Sequence, residues 1–215
     1  MKRTTFLLPV VFMLGGCGTM VHSNVSTFHE LHPNTQMSYA MRPFKAQQGS
    51  LEYKTYANVI KRNLDTKGFR EVPFEQAELA VLFSYGIDEG REVVSSYPII
   101  GQTGSLGGYT TGTATTFGNT TSYSATTSSV PNYGVVGSGI SRRREHVRFL
   151  KLEMVDAVQY RADGTIHQIY EAKVNSVGST AQLAAIFPSM VKSLFEDFPG
   201  KSGSVRKSTV LLTSE

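Results

Sequence analysis

The stretch AELAVLFSYGI, residues 77–87, constrains the fold most. Leu79, Val81, Phe83, Tyr85 and Ile87 share one face of an extended strand, and Ala80, Leu82, Ser84 and Gly86 share the other. Both sets are small or apolar, so the strand lies inside its sheet and is covered on both faces. The rest of the chain has to supply strands to flank it and helices to cover it.

Two strands are expected over residues 20–44, where VHSNVSTFHEL alternates, HPNTQ reads as a turn, and Met37, Tyr39 and Met41 fall in phase before Pro43. A helix follows in SLEYKTYANVIKRNLDTKGF. Ser50 is its N-cap, Leu51, Tyr56, Ile60 and Leu64 form its apolar stripe with Val59 beside it, and Gly68 is its left-handed stop. Further on, Leu150, Leu152 and Met154 point one way while Lys151 and Glu153 point the other. Tyr170, Ala172 and Val174 repeat that phase, and Asp163-Gly164 reads as the tight turn of an antiparallel hairpin between the two runs. A second helix carries Leu183, Phe187, Met190, Val191, Leu194 and Phe198, with Pro188 expected to kink or divide it. Residues 201–215 hold STVLLT, an edge strand or a disordered end. The order predicts an α+β fold, a two-layer sandwich with a mostly antiparallel sheet and two helices on one face.

Residues 98–140 differ in kind. They are Gly, Thr and Ser with scattered aromatics and almost no charge. Without aliphatic residues to bury, a packed core does not offset the cost of ordering them. A tract of about forty irregular residues is rare inside a domain, so it is read as an insertion, either a flexible loop or a long hairpin. Tyr109, Phe117, Tyr123 and Tyr133 within it are candidate contacts for a sugar or protein partner.

The chain opens with Lys2 and Arg3 and a short apolar run that ends at Leu14-Gly15-Gly16-Cys17, its one cysteine. A charged start before a short apolar stretch is a secretory signal, here residues 1–16. About ten apolar residues span only ~15 Å of helix, short of a ~30 Å bilayer core. Leu at minus three with small residues at minus two and minus one fits a bacterial lipobox, which makes Cys17 the expected lipidation site. Several acyl chains on one residue anchor a protein stably. Gly18 is not the Asp that resembles an inner-membrane retention signal, so the expected location is the periplasmic face of the outer membrane. The mature α+β domain then covers residues 17–200.

Hydrophobic residues make up 40% of the chain and charged residues 18%, a core-forming composition. Without Lys2 and Arg3 the basic count is 19 against 17 acidic, a net +2 that gives no reason to expect nucleic acid. His29-x-x-His32 has a metal-like spacing but no third ligand, and no metal or other cofactor is expected. No G-x-S-x-G is present, and Gly200-Lys201-Ser202 lacks the earlier glycine of a phosphate loop. The chain is therefore read as a non-enzyme. Arg142, Arg143, Arg144 and Arg148 form the densest basic cluster and are candidate contacts for an anion such as a lipid phosphate or an acidic glycan.

The lipobox, SLEYKTYANVIKRNLDTKGF, AELAVLFSYGI, the Gly-rich tract, LKLEMVDA, IYEAKV and LFEDFPG, in this order, resemble the bacterial lipoprotein family of domain of unknown function 4136. The resemblance implies a cell-envelope lipoprotein with an α+β fold and supplies no activity and no catalytic residues. The expected function is that of a non-enzymatic envelope binding or scaffold module with an envelope protein or glycan partner. The alternative is a carrier of lipid or another small ligand.

Overall fold

The computed structural model describes residues 19–32 and 36–212. The signal segment, Leu14, Gly15, Gly16 and Cys17 lie outside the described residues. The strands are β1 (Met20–His29), β2 (Ser38–Met41), β3 (Arg70–Glu71), β4 (Leu79–Ile87), β5 (Arg91–Phe117), β6 (Thr120–Asp156), β7 (Gln168–Gly178) and β8 (Ser204–Leu211). The α-helices are α1 (Leu51–Thr66), α2 (Ala157–Asp163) and α3 (Leu183–Phe195). The chain divides into two units, one of residues up to Gly90 and from Glu145 onward, the other Arg91–Arg144.

The first unit is built on a large mixed sheet in the order β3-β2-β4-β6-β7-β1-β8, to which β6 contributes its C-terminal part. Strand β2 runs parallel to β3 and β4, and the pairs β4–β6, β6–β7, β7–β1 and β1–β8 are antiparallel. As its two apolar faces require, β4 is interior. Leu79, Val81 and Phe83 are fully buried in the main core with Leu150, Leu152, Met154 and Val174. On the opposite face Ala80 and half-buried Leu82 pack with Ala40, Ala77, Ala157 and Phe74 in a smaller cluster.

Helix α1 starts where Ser50 Oγ accepts the Tyr53 N–H at 3.2 Å. It stops at Gly68, whose φ of +86° is open to glycine at little cost. Its buried stripe is Tyr53, Tyr56, Ala57, Ile60 and Leu64. Leu51 was expected on that stripe but is 76% exposed. It lies five residues before Tyr56, about 140° around the helix. Helix α3 buries Leu183, Phe187, Met190, Val191 and Leu194 as expected and runs undivided through Pro188, but it ends at Phe195, so Phe198, expected on the same stripe, packs on the core from beyond the helix.

A third helix replaces the expected tight turn. β6 and β7 are antiparallel, but α2 connects them. Asp156 Oδ1 caps it by accepting the Gln159 N–H at 2.8 Å, and Gly164, at φ +77°, ends it with its N–H on Tyr160 O. An Asp-Gly pair suits a left-handed position in either setting, and here the setting is a helix C-terminus. Of the STVLLT tail, Ser208–Leu211 form the end of the edge strand β8, antiparallel to β1, and Thr213 lies outside the described residues.

The second unit is a two-stranded ribbon made of β5 and the first part of β6. Gly118, at φ +61°, and Asn119 turn it. Threonine hydroxyls meet across it at 2.8 Å (Thr110 and Thr127) and 3.0 Å (Thr116 and Thr121). Nearly all its side chains are exposed, on both faces.

Candidate functional site

Helices α1 and α3 pack together through Tyr56 and Phe187, whose rings stack with centroids 3.9 Å apart. A groove of about 950 Å³ lies beside this contact. Val59, Ala184, Ala185, Pro188 and Leu212 give it apolar walls, and Lys61 and Arg62 line it as cations. The volume is that of a small-ligand site. Thr19 also lines the groove and is pinned there, because its carbonyl accepts the Leu212 N–H at 2.8 Å. Lys61 Nζ holds Glu71 Oε1 at 2.6 Å.

Neither Tyr56 at this contact nor Tyr53, which stacks on Phe83 one turn earlier in α1, is poised as a base. Burial pushes the Tyr53 hydroxyl up to about 12. Burial, and then the Glu52 carboxylate, push Tyr56 up as well. Both are neutral near pH 7. Among the described residues no group of three or more His, Cys, Asp or Glu could hold a metal ion. His29 Nε2 is 3.0 Å from Gly200 O, and His167 Nε2 is 3.3 Å from Glu30 Oε2. His146 sits opposite Gly178, with its Nδ1 3.1 Å from Asp88 O. The aliphatic wall can take the carbons of an apolar chain.

The four arginines are not alike. Arg142, Arg143 and Arg144 are exposed in the ribbon unit, where Arg142 Nε is 3.3 Å from Glu92 Oε1. Arg148 belongs to the first unit and is only 2% exposed. Of the aromatic candidates, Phe117 is 91% exposed and Tyr123 81%, and Tyr109 and Tyr133 are also exposed. Ile100, Leu106, Val135 and Ile140 join them as exposed apolar side chains of the ribbon.

The family profile of the domain of unknown function DUF4136 matches residues 23–200. This chain belongs to the DUF4136 family. The match starts in β1 and includes both units. Among solved structures, this DUF4136 chain is similar to a PDZ domain protein from Parabacteroides distasonis, at 12% identity and a TM-score of 0.47, covering 90% of this chain and 40% of that one. It thus spans well under half the length of that protein. It is also similar to the PelC dodecamer from Paraburkholderia phytofirmans, at 12% identity and a TM-score of 0.34, covering 79% and 91% of the two chains. No curated protein matches it.

Sequence reasoning did not find the groove of this DUF4136 domain. Its residues come from α1, α3 and both ends of the described chain. The inward position of Arg148 was readable, since it precedes Leu150 by two and so shares the buried phase of Leu150, Leu152 and Met154.

Proposed function

We propose that this chain is a lipoprotein anchored through Cys17 to the periplasmic face of the outer membrane. We read it as a non-enzymatic module that binds an envelope protein or glycan. Its first unit would serve as the scaffold, with α1 and α3 layered on one face of the sheet, and the ribbon as the contact element. One observation carries the reading. A two-stranded ribbon is marginal in water by itself, yet this one exposes Phe117, Tyr123, Tyr109 and Tyr133 together with Ile100 and Leu106. Large rigid aromatics at exposed positions are the residues that gain most when a partner covers them.

The test is crosslinking in intact cells, comparing the natural chain with one lacking residues 101–140. Loss of a specific crosslinked partner on deletion supports the reading. A deletion variant that is made, localised and crosslinked as before refutes it.

A second reading is favoured by the groove between α1 and α3. Thr19 lines it and stands two residues after Cys17, so an acylated Cys17 would have its Cα within about 7 Å of that of Thr19. Such a tether would keep the groove close to lipid, which suits a carrier of lipid or another amphiphile. Native mass spectrometry of the chain from residue 18 onward would show a co-purifying lipid, and an Ala184→Trp variant would lose it. Lipid-free natural protein would count against this reading.

A further inference from the structure

Arg148 opens a polar row inside an otherwise apolar sheet face. Its partner on β7 is Ser176, Ser176 pairs with Ser23 on β1, and Ser23 pairs with Ser208 on β8. All four are buried. Two of them are satisfied within the fold. Ser176 Oγ donates to His22 O at 2.9 Å, and Ser208 Oγ donates to Glu196 Oε2 at 2.8 Å. The other two are not. Ser23 Oγ and Arg148 Nε are buried without a partner. For Arg148 the unpartnered atom is the Nε–H, the inner of the two donors along one edge of the guanidinium.

The space for this head group is set by Gly178. A Cβ on Gly178 would collide with Arg148 Nη2, so the guanidinium lies over the bare backbone at the end of β7. The acid whose field acts on it is Asp88. That carboxylate is already engaged, since Asp88 Oδ1 accepts the Gly90 N–H at 3.0 Å and the Val147 N–H at 2.9 Å. It also lies 3.8 Å from His146 Nδ1.

A cation taken out of water without a counter-ion is costly, and the cost is relieved when an anion meets it with good geometry. The guanidinium offers planar, paired N–H donors that match the two oxygens of a carboxylate. One positive charge with a carboxylate in its neighbourhood favours a monoanion over a phosphate dianion. We propose that the Arg148 end of the sheet is a binding site for the carboxylate of a small organic acid. The guanidinium is the charged, two-pronged donor, and the Ser23 hydroxyl is the neutral donor of the same row. This site is separate from the residues lining the α1–α3 groove, and it stands whether or not the ribbon binds a partner.

The test follows the arginine Nε–H resonances of the full mature protein in detergent micelles. Sodium acetate is titrated against sodium chloride at equal ionic strength, with inorganic phosphate as a third arm. One Nε–H signal shifts and saturates with acetate but not with chloride. R148M removes both the signal and the saturable response. G178A keeps an extended strand residue but places a methyl group in the guanidinium's space, and it weakens acetate binding by about tenfold or more. Should R148M fail to fold, R148K and G178A carry the test, both binding acetate more weakly than the natural protein. The proposal is overturned if acetate gives no response beyond chloride, as expected of a site filled by water. It is overturned equally if R148M and G178A bind acetate as the natural protein does, or if phosphate binds more tightly than acetate.

Discussion

Truncating Phe187 tests where the core of this DUF4136 domain is concentrated. Phe187 is fully buried, stacked on Tyr56 and within 6.3 Å of the Phe83 ring and 5.9 Å of the Tyr85 ring. Returning a buried phenyl group to water costs about 2–3 kcal/mol. A remaining void of roughly 80 Å³ adds about 2 kcal/mol at ~24 cal/mol per Å³. Phe187→Ala is therefore expected to remove about 4–5 kcal/mol, against a total stability for ordinary domains of about 5–15 kcal/mol. The paired control is Leu51→Ala. By apolar spacing Leu51 looked like a core residue, but it is 76% exposed, and its truncation should change stability by less than about 0.5 kcal/mol. Urea unfolding of both variants separates the two cases. For Phe187→Ala the midpoint should fall by about 2 M with the slope unchanged, taking a slope of about 2 kcal/mol per M. If the two truncations cost the same, or Phe187→Ala costs under about 1 kcal/mol, the helix–sheet packing described above is wrong.

Three further outcomes are expected. Ser50→Ala removes the hydroxyl that accepts the Tyr53 N–H and should lower stability by about 1 kcal/mol, read in the same urea experiment. The Ser38 N–H and Oγ–H both donate to Glu78 Oε2, at 2.7 and 2.8 Å, and hold the Glu78 carboxyl below its usual 4.5. The stability this provides is complete above pH 4.5 and is lost as pH falls through the lowered folded value. Ser38→Ala should therefore shrink the acid-dependent part of the unfolding free energy, and identical pH profiles would contradict the assignment. Radioactive palmitate should label the natural chain and not Cys17→Ala, and equal labelling of both would remove the membrane anchor from the proposed function.

Much of the fold was legible because it rests on short-range periodicity. The two-faced apolar strand β4, the alternating runs of β6 and β7, and the stripes of α1 and α3 each carry their signal within a dozen residues. Helix α2 did not, because seven residues are too few to show a helical repeat. Its closing Asp163-Gly164 pair is equally suited to a hairpin turn, since both need a residue with positive φ. The Gly/Thr/Ser tract left loop and hairpin open for a related reason. Its alternation is nearly featureless, and the ribbon rests on the backbone pairing of β5 with β6, with exposed threonine pairs across the strands, rather than on apolar burial.

The Arg148 row marks the boundary between what a local pattern and what a register can reveal. Strand phase puts Arg148 on the core face, two residues before Leu150, and sets it apart from Arg143; Arg142 and Arg144 share its phase but lie beyond the end of the buried run. Phase says nothing about Ser23 or Ser208, which come within reach only when β7 and β1 pair in one particular register. A one-residue slip would replace a serine with a neighbour from the other face. Near the open end of a sheet such slips are opposed by few contacts, and a polar row buried there would weaken the apolar packing that resists them. A ligand carboxylate bound across that row would reverse the effect, since it stabilises only the register that aligns the row. The site and the strand pairing are then coupled. In the natural protein, acetate should slow hydrogen exchange at the amides of Ser23 and Ser176, and in G178A the same slowing should need about ten times more acetate or more.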